Sequence, residues 1–230
     1  MFNRLLICCL LGLVFFPGCR NDPENQKGRK TLFADLFVRY FEEDQSLKAQ
    51  AVFFEGQTLD GAAPFEPAGG VSFQGSAMEK KEIPGAVIRY EINRKLPYSD
   101  RFPFRFQTKS GQWQEANMSM SPLAGYLIAG DKGSKTGGVT IIVKGAVLNE
   151  IESLVVILTD KNRKSAAHEI TGPVAANEVL VPANVLTGLE PGRCSVYLVK
   201  KRHEVLEKEG LTVFADQEYY SDAKDFELMP

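Results

Sequence analysis

The sequence predicts an all-β protein, two tandem antiparallel β-sandwiches behind an N-terminal segment of different character. Three observations point there. Apolar residues recur at every second position in short runs, the period of a half-buried strand. Turn dipeptides (Asp60-Gly61, Gly69-Gly70, Pro84-Gly85, Ser110-Gly111) punctuate these runs, at the roughly ten-to-fifteen-residue spacing of small sandwiches. Beyond residue 19 the only cysteine is Cys194. No internal disulfide can then staple the body, and hydrophobic cores must hold it.

The first element is the amino terminus. Met1 to Arg4 are short and basic, and Leu5 to Phe16 (LLICCLLGLVFF) run without a strongly polar side chain. That run is too short to cross a ~30 Å hydrocarbon layer as a helix and suits the apolar part of an export signal. Phe16-Pro17-Gly18-Cys19 follows. The ending resembles the lipobox of bacterial lipoproteins, although Phe16 stands where leucine or a small aliphatic is more usual. The resemblance implies a signal peptide over 1–18, cleavage after Gly18 and acyl chains, palmitate among them, on Cys19. A plain secretory peptide or an uncleaved anchor is the alternative. Two or more acyl chains, at ~0.8 kcal/mol per buried methylene, would hold the protein on a membrane.

Residues 19–31 then read as a lipidated cysteine and a flexible tether. Arg20 to Thr31 (RNDPENQKGRKT) lack any large apolar residue, and such a spacer reaches at most ~40 Å. Asp22 and Glu24 resemble the acidic surface-export signals of Bacteroidota lipoproteins. The expected address is the cell envelope, on the outer membrane.

Residues 32–122 form the first predicted sandwich. Phe33, Leu36, Phe37, Tyr40 and Phe41 fit one helical face, but the all-β context favours a strand, with a short helix as the alternative. Leu47, Ala49, Ala51 and Phe53 alternate against Lys48 and Gln50; Ile88, Tyr90 and Ile92 against Arg89 and Glu91; Phe102, Phe104 and Phe106 against Pro103 and Arg105. The three phenylalanines therefore belong to a core. Trp113, just past a turn, is the candidate exposed aromatic for ligand binding.

Ser121 to Gly125 (SPLAG) mark the expected boundary, and residues 123–230 form the second sandwich. Val139 to Val143 and Leu154 to Leu158 are continuous apolar runs, as in central strands. Cys194, Val196 and Leu198 point one way, Ser195 and Tyr197 the other. Leu186 to Leu198 (LTGLEPGRCSVYL) resembles the E-to-F corner of fibronectin type III and related immunoglobulin-like sandwiches. The tyrosine that family places at this corner is not reproduced. Cys194 takes the inward position and reads as a small buried hydrophobe. Lys200 to Glu209, closed by Gly210, reads as a solvated hairpin tip of this second domain.

The chemistry of common catalysts is missing. His168 and His203 lack metal-ligand spacing, and no third ligand is marked. No G-x-S-x-G elbow is present. Ala129 to Thr136 (AGDKGSKT) fails as a phosphate loop, because Ala129 and Ser134 occupy its glycine positions and a strand follows. Asp222, Asp225 and Glu227 are misspaced for a calcium loop. Asn117-Met118-Ser119 fits a glycosylation sequon by composition alone. With 27 basic against 29 acidic residues the chain carries a formal charge of −2, so no strong field recruits nucleic acid. Expected site residues are thus Cys19 and Gly18 for processing and Trp113 for a ligand. No catalytic residue, metal or cofactor is expected.

The functional expectation is a non-catalytic envelope lipoprotein that binds or assembles, touching the membrane through lipid and a protein or glycan partner through its body. The alternative is a glycan-binding surface lipoprotein of an outer-membrane uptake system. A third reading, an envelope enzyme built on two carboxylates, needs a deep pocket with convergent acids.

Overall fold

The computed structural model describes residues 30–85, 87–145 and 147–230. Gly18, Cys19, the signal segment 1–18 and most of the tether 19–31 lie outside the described residues. The first half carries β1 (Thr31–Phe41), β2 (Ser46–Gly56), β3 (Ala63–Pro64), β4 (Val71–Phe73), β5 (Ser76–Ala77), β6 (Glu79–Ile83), β7 (Val87–Lys95), β8 (Arg101–Gln107) and β9 (Trp113–Ser119). The second carries β10 (Tyr126–Ile128), β11 (Lys132–Ser134), β12 (Val139–Val143), β13 (Val147–Leu148), β14 (Glu152–Asp160), β15 (Ser165–Thr171), β16 (Val174–Ala175), β17 (Glu178–Val181), β18 (Gly192–Lys208), β19 (Leu211–Tyr220) and β20 (Lys224–Met229). The protein is all-β. Residues 33–41 are strand, and the helical alternative falls: Leu32, Ala34, Leu36, Val38 and Tyr40 enter the core at period two.

One long sheet organises the fold. Its order is β11-β20-β18-β19-β1-β2-β7-β6, with β14 pairing β18, β15 pairing β14 and β3 pairing β2. Three smaller sheets complete the layers: β5-β4-β8-β9 belongs to the first half, and β10-β12-β17 and the pair β13-β16 to the second. Across the first half, the Phe53 and Phe106 rings meet at 4.7 Å. Across the second, Tyr126 of β10 donates its hydroxyl to the Val196 carbonyl of β18 at 2.6 Å. Burial pushes that phenol up to about 12. Phe102, Phe104 and Phe106 are all buried, as their alternation predicts.

Two features correct the sequence reading. The sheets are not purely antiparallel. β1 runs parallel to β19, from Leu32 opposite Leu211 to Phe41 opposite Tyr220, and β11 runs parallel to β20. Nor is Lys200–Glu209 a hairpin tip of the second half alone. β18 is 17 residues long, its residues 192–196 pair with β20, and its residues 199–208 pair with β19. The charged run is the second part of that strand and lies across the first half. The β18–β19 hairpin thereby joins both halves into one ladder. The predicted boundary segment, 121–125, is the loop between β9 and β10.

The junction is also closed by side chains. Tyr40, Tyr98 and Tyr219 pack together at centroid distances of 5.0–5.8 Å, and Tyr98 donates to the Met120 carbonyl at 2.6 Å. Beside them Lys200 Nζ meets Glu152 Oε1 at 3.1 Å, both side chains under a tenth exposed. Lys200 also donates to the Ser121 carbonyl of the connecting loop.

A candidate binding face

Strand alternation sends every second residue of β1, β18 and β19 away from the core. On this outer face the register aligns Phe37 with Asp216 and His203, Arg39 with Glu218 and Lys201, and Phe41 with Tyr220. The aromatic members form a strip. Phe41 and Tyr220 stand 4.8 Å apart, and Tyr197 stacks on Tyr220 at 6.2 Å. The Arg39 guanidinium lies 5.1 Å from the Phe37 ring and 5.2 Å from the Tyr220 ring, and it pairs with Glu218 at 2.6 Å. Tyr220 donates to the same carboxylate at 3.2 Å. Burial first, then the Glu218 charge, raises the Tyr220 phenol above its ordinary value.

Two depressions open on this face. The larger, about 550 Å³, is lined by Phe37, Ser153, Lys201, His203, Asp216 and Glu218 among others. Four of its five acids, all but Glu150, have a polar partner. His203 Nδ1 contacts Asp216 Oδ1 at 2.7 Å, Glu218 holds Arg39, and Glu152 holds Lys200. The Ser153 hydroxyl donates to Glu169 at 2.8 Å rather than to the imidazole. Asp35, beside Asp216, has its carboxyl raised by desolvation and then by the Asp216 charge, with His203 opposing. The smaller depression, about 230 Å³, is bounded by Phe41, Tyr197, Tyr220, Glu42 and Glu43.

Trp113 opens β9 and is 48% exposed. One side of its ring is covered: the Arg105 guanidinium lies 4.3 Å from its centroid. It is on the small sheet, apart from the aromatic strip. His168 sits on edge strand β15, opposite Val156, and the structure does not bring it together with His203. Cys194 is buried, with burial first and the Asp160 charge next raising its thiol. Among the described residues no group of three or more His, Cys, Asp or Glu side chains is placed to hold a metal ion. No helix among them is long and apolar enough to cross a membrane.

The sequence reading chose Trp113 for its place just past a turn and did not nominate the strip. The available signal was parity. Phe37, Phe41, Tyr197 and Tyr220 all occupy the outward position of strands whose alternate residues are core.

No family model matches the chain, and no curated protein matches it. Among solved structures, it is similar to a tetra-tandem repeat in the extending region of a large adhesion protein. The identity is 11% and the TM-score 0.29, over 84% of this chain and 49% of that one. The chain thus spans about half the length of that neighbour.

Proposed function

We propose that this is a non-catalytic envelope lipoprotein that binds a partner through the outer face of its long sheet. The observation that carries the binding role is the strip of Phe41, Tyr197 and Tyr220, stacked at 4.8 and 6.2 Å on a face where strand alternation expects polar residues. Against an enzyme stands the state of the acids. In the larger depression Asp216, Glu218 and Glu152 are each paired with a basic side chain. Attachment rests on the N-terminal motif: Cys19 carries the acyl chains after cleavage at Gly18, and the envelope address follows.

Site-specific photo-crosslinking in intact cells from positions 37 and 197, with position 105 on the small sheet as control, tests the binding role. A discrete adduct from 37 and 197 but not from 105 is expected, and none from any position overturns the role. Labelling with radioactive palmitate tests the anchor: the wild type incorporates label and Cys19→Ala does not.

A second reading, glycan binding at an outer-membrane uptake system, is favoured by one observation. Aromatic rings and the carboxylates of Glu42 and Glu43 border the same small depression.

A further inference from the structure

The smaller depression differs from the larger in its charge balance. Phe41, Tyr197 and Tyr220 supply three neighbouring rings, and the turn after β1 supplies Glu42 and Glu43. Glu42 is held in place by the Asp222 backbone N–H at 3.2 Å. Glu43 has no ion-pair partner among the described residues. Two nearby cations, one of them on the Tyr220 ring, are already engaged within the chain, and the Lys95 charge acts on Asp44. Arg39 pairs with Glu218, and Lys224 donates to the Tyr126 carbonyl at 2.7 Å while lying 5.0 Å from that ring. The opening therefore presents ring faces under a negative rim.

The chain already shows what such a setting holds. Arg39 lies over Phe37 and Tyr220 while Glu218 pins its guanidinium. Around Phe41, Tyr197 and Glu43 the same components recur without an internal cation. At about 230 Å³, the space is below the roughly 300–1,000 Å³ of ordinary small-molecule pockets, and suits a single side chain. Aromatic faces attract a cation through their quadrupoles, and they also cover its apolar stem. A neutral sugar would use the rings but gain no Coulombic attraction from the rim.

We propose that the Phe41–Tyr197–Tyr220 depression receives one arginine or lysine side chain of a protein partner, with the rings on its stem and Glu43 on its charge. This rests on the outer face being a contact surface, and it names the chemistry of the contact.

The test uses the full-length protein in non-ionic detergent, with 3-fluorotyrosine incorporated and read by fluorine NMR. The probes are the capped peptide Gly-Gly-Arg-Gly-Gly, its citrulline counterpart and maltohexaose. The arginine peptide should shift the Tyr197 and Tyr220 resonances saturably, with apparent affinity at least five-fold above the citrulline peptide. Glu43→Gln should weaken the arginine peptide at least three-fold and leave the citrulline peptide unchanged. Because Glu43 is exposed, that variant keeps the test independent of folding; Phe41→Leu is the conservative check on the ring. Equal affinity for both peptides, or no effect of Glu43→Gln, overturns the proposal. So does the absence of a saturable shift with any probe. Saturation by maltohexaose alone overturns the cation assignment while leaving a binding face. Loss of the in-cell adducts from positions 37 and 197 would instead remove the binding role itself.

Discussion

The Asp160 carboxylate, at the end of β14, accepts the backbone N–H of Glu190 at 2.9 Å. Its other oxygen accepts the N–H groups of Asn162 and Lys164. One acid thus ties the β14–β15 turn to the corner leading into β18, where a tyrosine would stand in the family that this corner resembles.

These bonds hold the Asp160 carboxyl below the usual aspartate value, the Glu190 N–H contributing most. A depressed folded-state proton affinity adds stability above the unfolded value and loses it as pH falls through the folded one. Asp160→Asn should therefore lower the urea midpoint at pH 7, and the gap from wild type should close below about pH 3.8. Denaturation curves at pH 7 and 2.5 check this; an equal gap at both would assign the effect to geometry rather than charge.

The Lys200–Glu152 pair calls for a different design. Both groups are buried, and without Lys200 the Glu152 carboxylate keeps only the more distant Arg202 guanidinium, at 3.8 Å, and the Asn149 N–H. Lys200→Met should cost on the order of 3–5 kcal/mol, whereas Lys200→Met with Glu152→Leu should recover much of the loss. Guanidinium denaturation of the two variants decides it. A double variant as weak as the single would mean that Lys200's bond to the Ser121 carbonyl matters more than the ion pair.

How far the fold could be read beforehand depends on how local its causes are. Strand character at 47–54, 102–106, 139–143 and 154–158 follows from period-two patterning or continuous apolar runs, and the structure has strands there. The parallel ladder between β1 and β19 joins residues about 180 positions apart, and no local pattern encodes it. The charged stretch 200–208 was misassigned for a related reason. Mixed charge marks solvent exposure on one side, and it does not distinguish a loop from a strand whose pairing runs along its edges. The aromatic strip needed both facts, parity within strands and registry between them. Parity alone could have nominated Phe41, Tyr197 and Tyr220, but only the pairing brings them together.

The β1–β19 ladder predicts coupled unfolding of the halves. Leu36 is fully buried in β1, and Leu36→Ala should cost about 2–5 kcal/mol. The loss should appear equally in Trp113 fluorescence, which reports the first half, and in hydrogen exchange of residues 154–158, which reports the second. Non-coincident transitions would show that the shared hairpin does not couple the halves.

Exposure of Trp113 predicts a spectral response rather than a binding one. The Arg105 guanidinium covers one face of the ring, a contact worth about 0.5–1 kcal/mol at a surface site. Arg105→Ala should alter the indole fluorescence and lower stability by no more than that amount. Adducts from positions 37 and 197 should be unchanged in both Arg105→Ala and Trp113→Phe cells, because the indole lies on the small sheet and the strip on the large one. Disappearance of those adducts in Trp113→Phe would move the contact surface to the small sheet and make the indole its anchor.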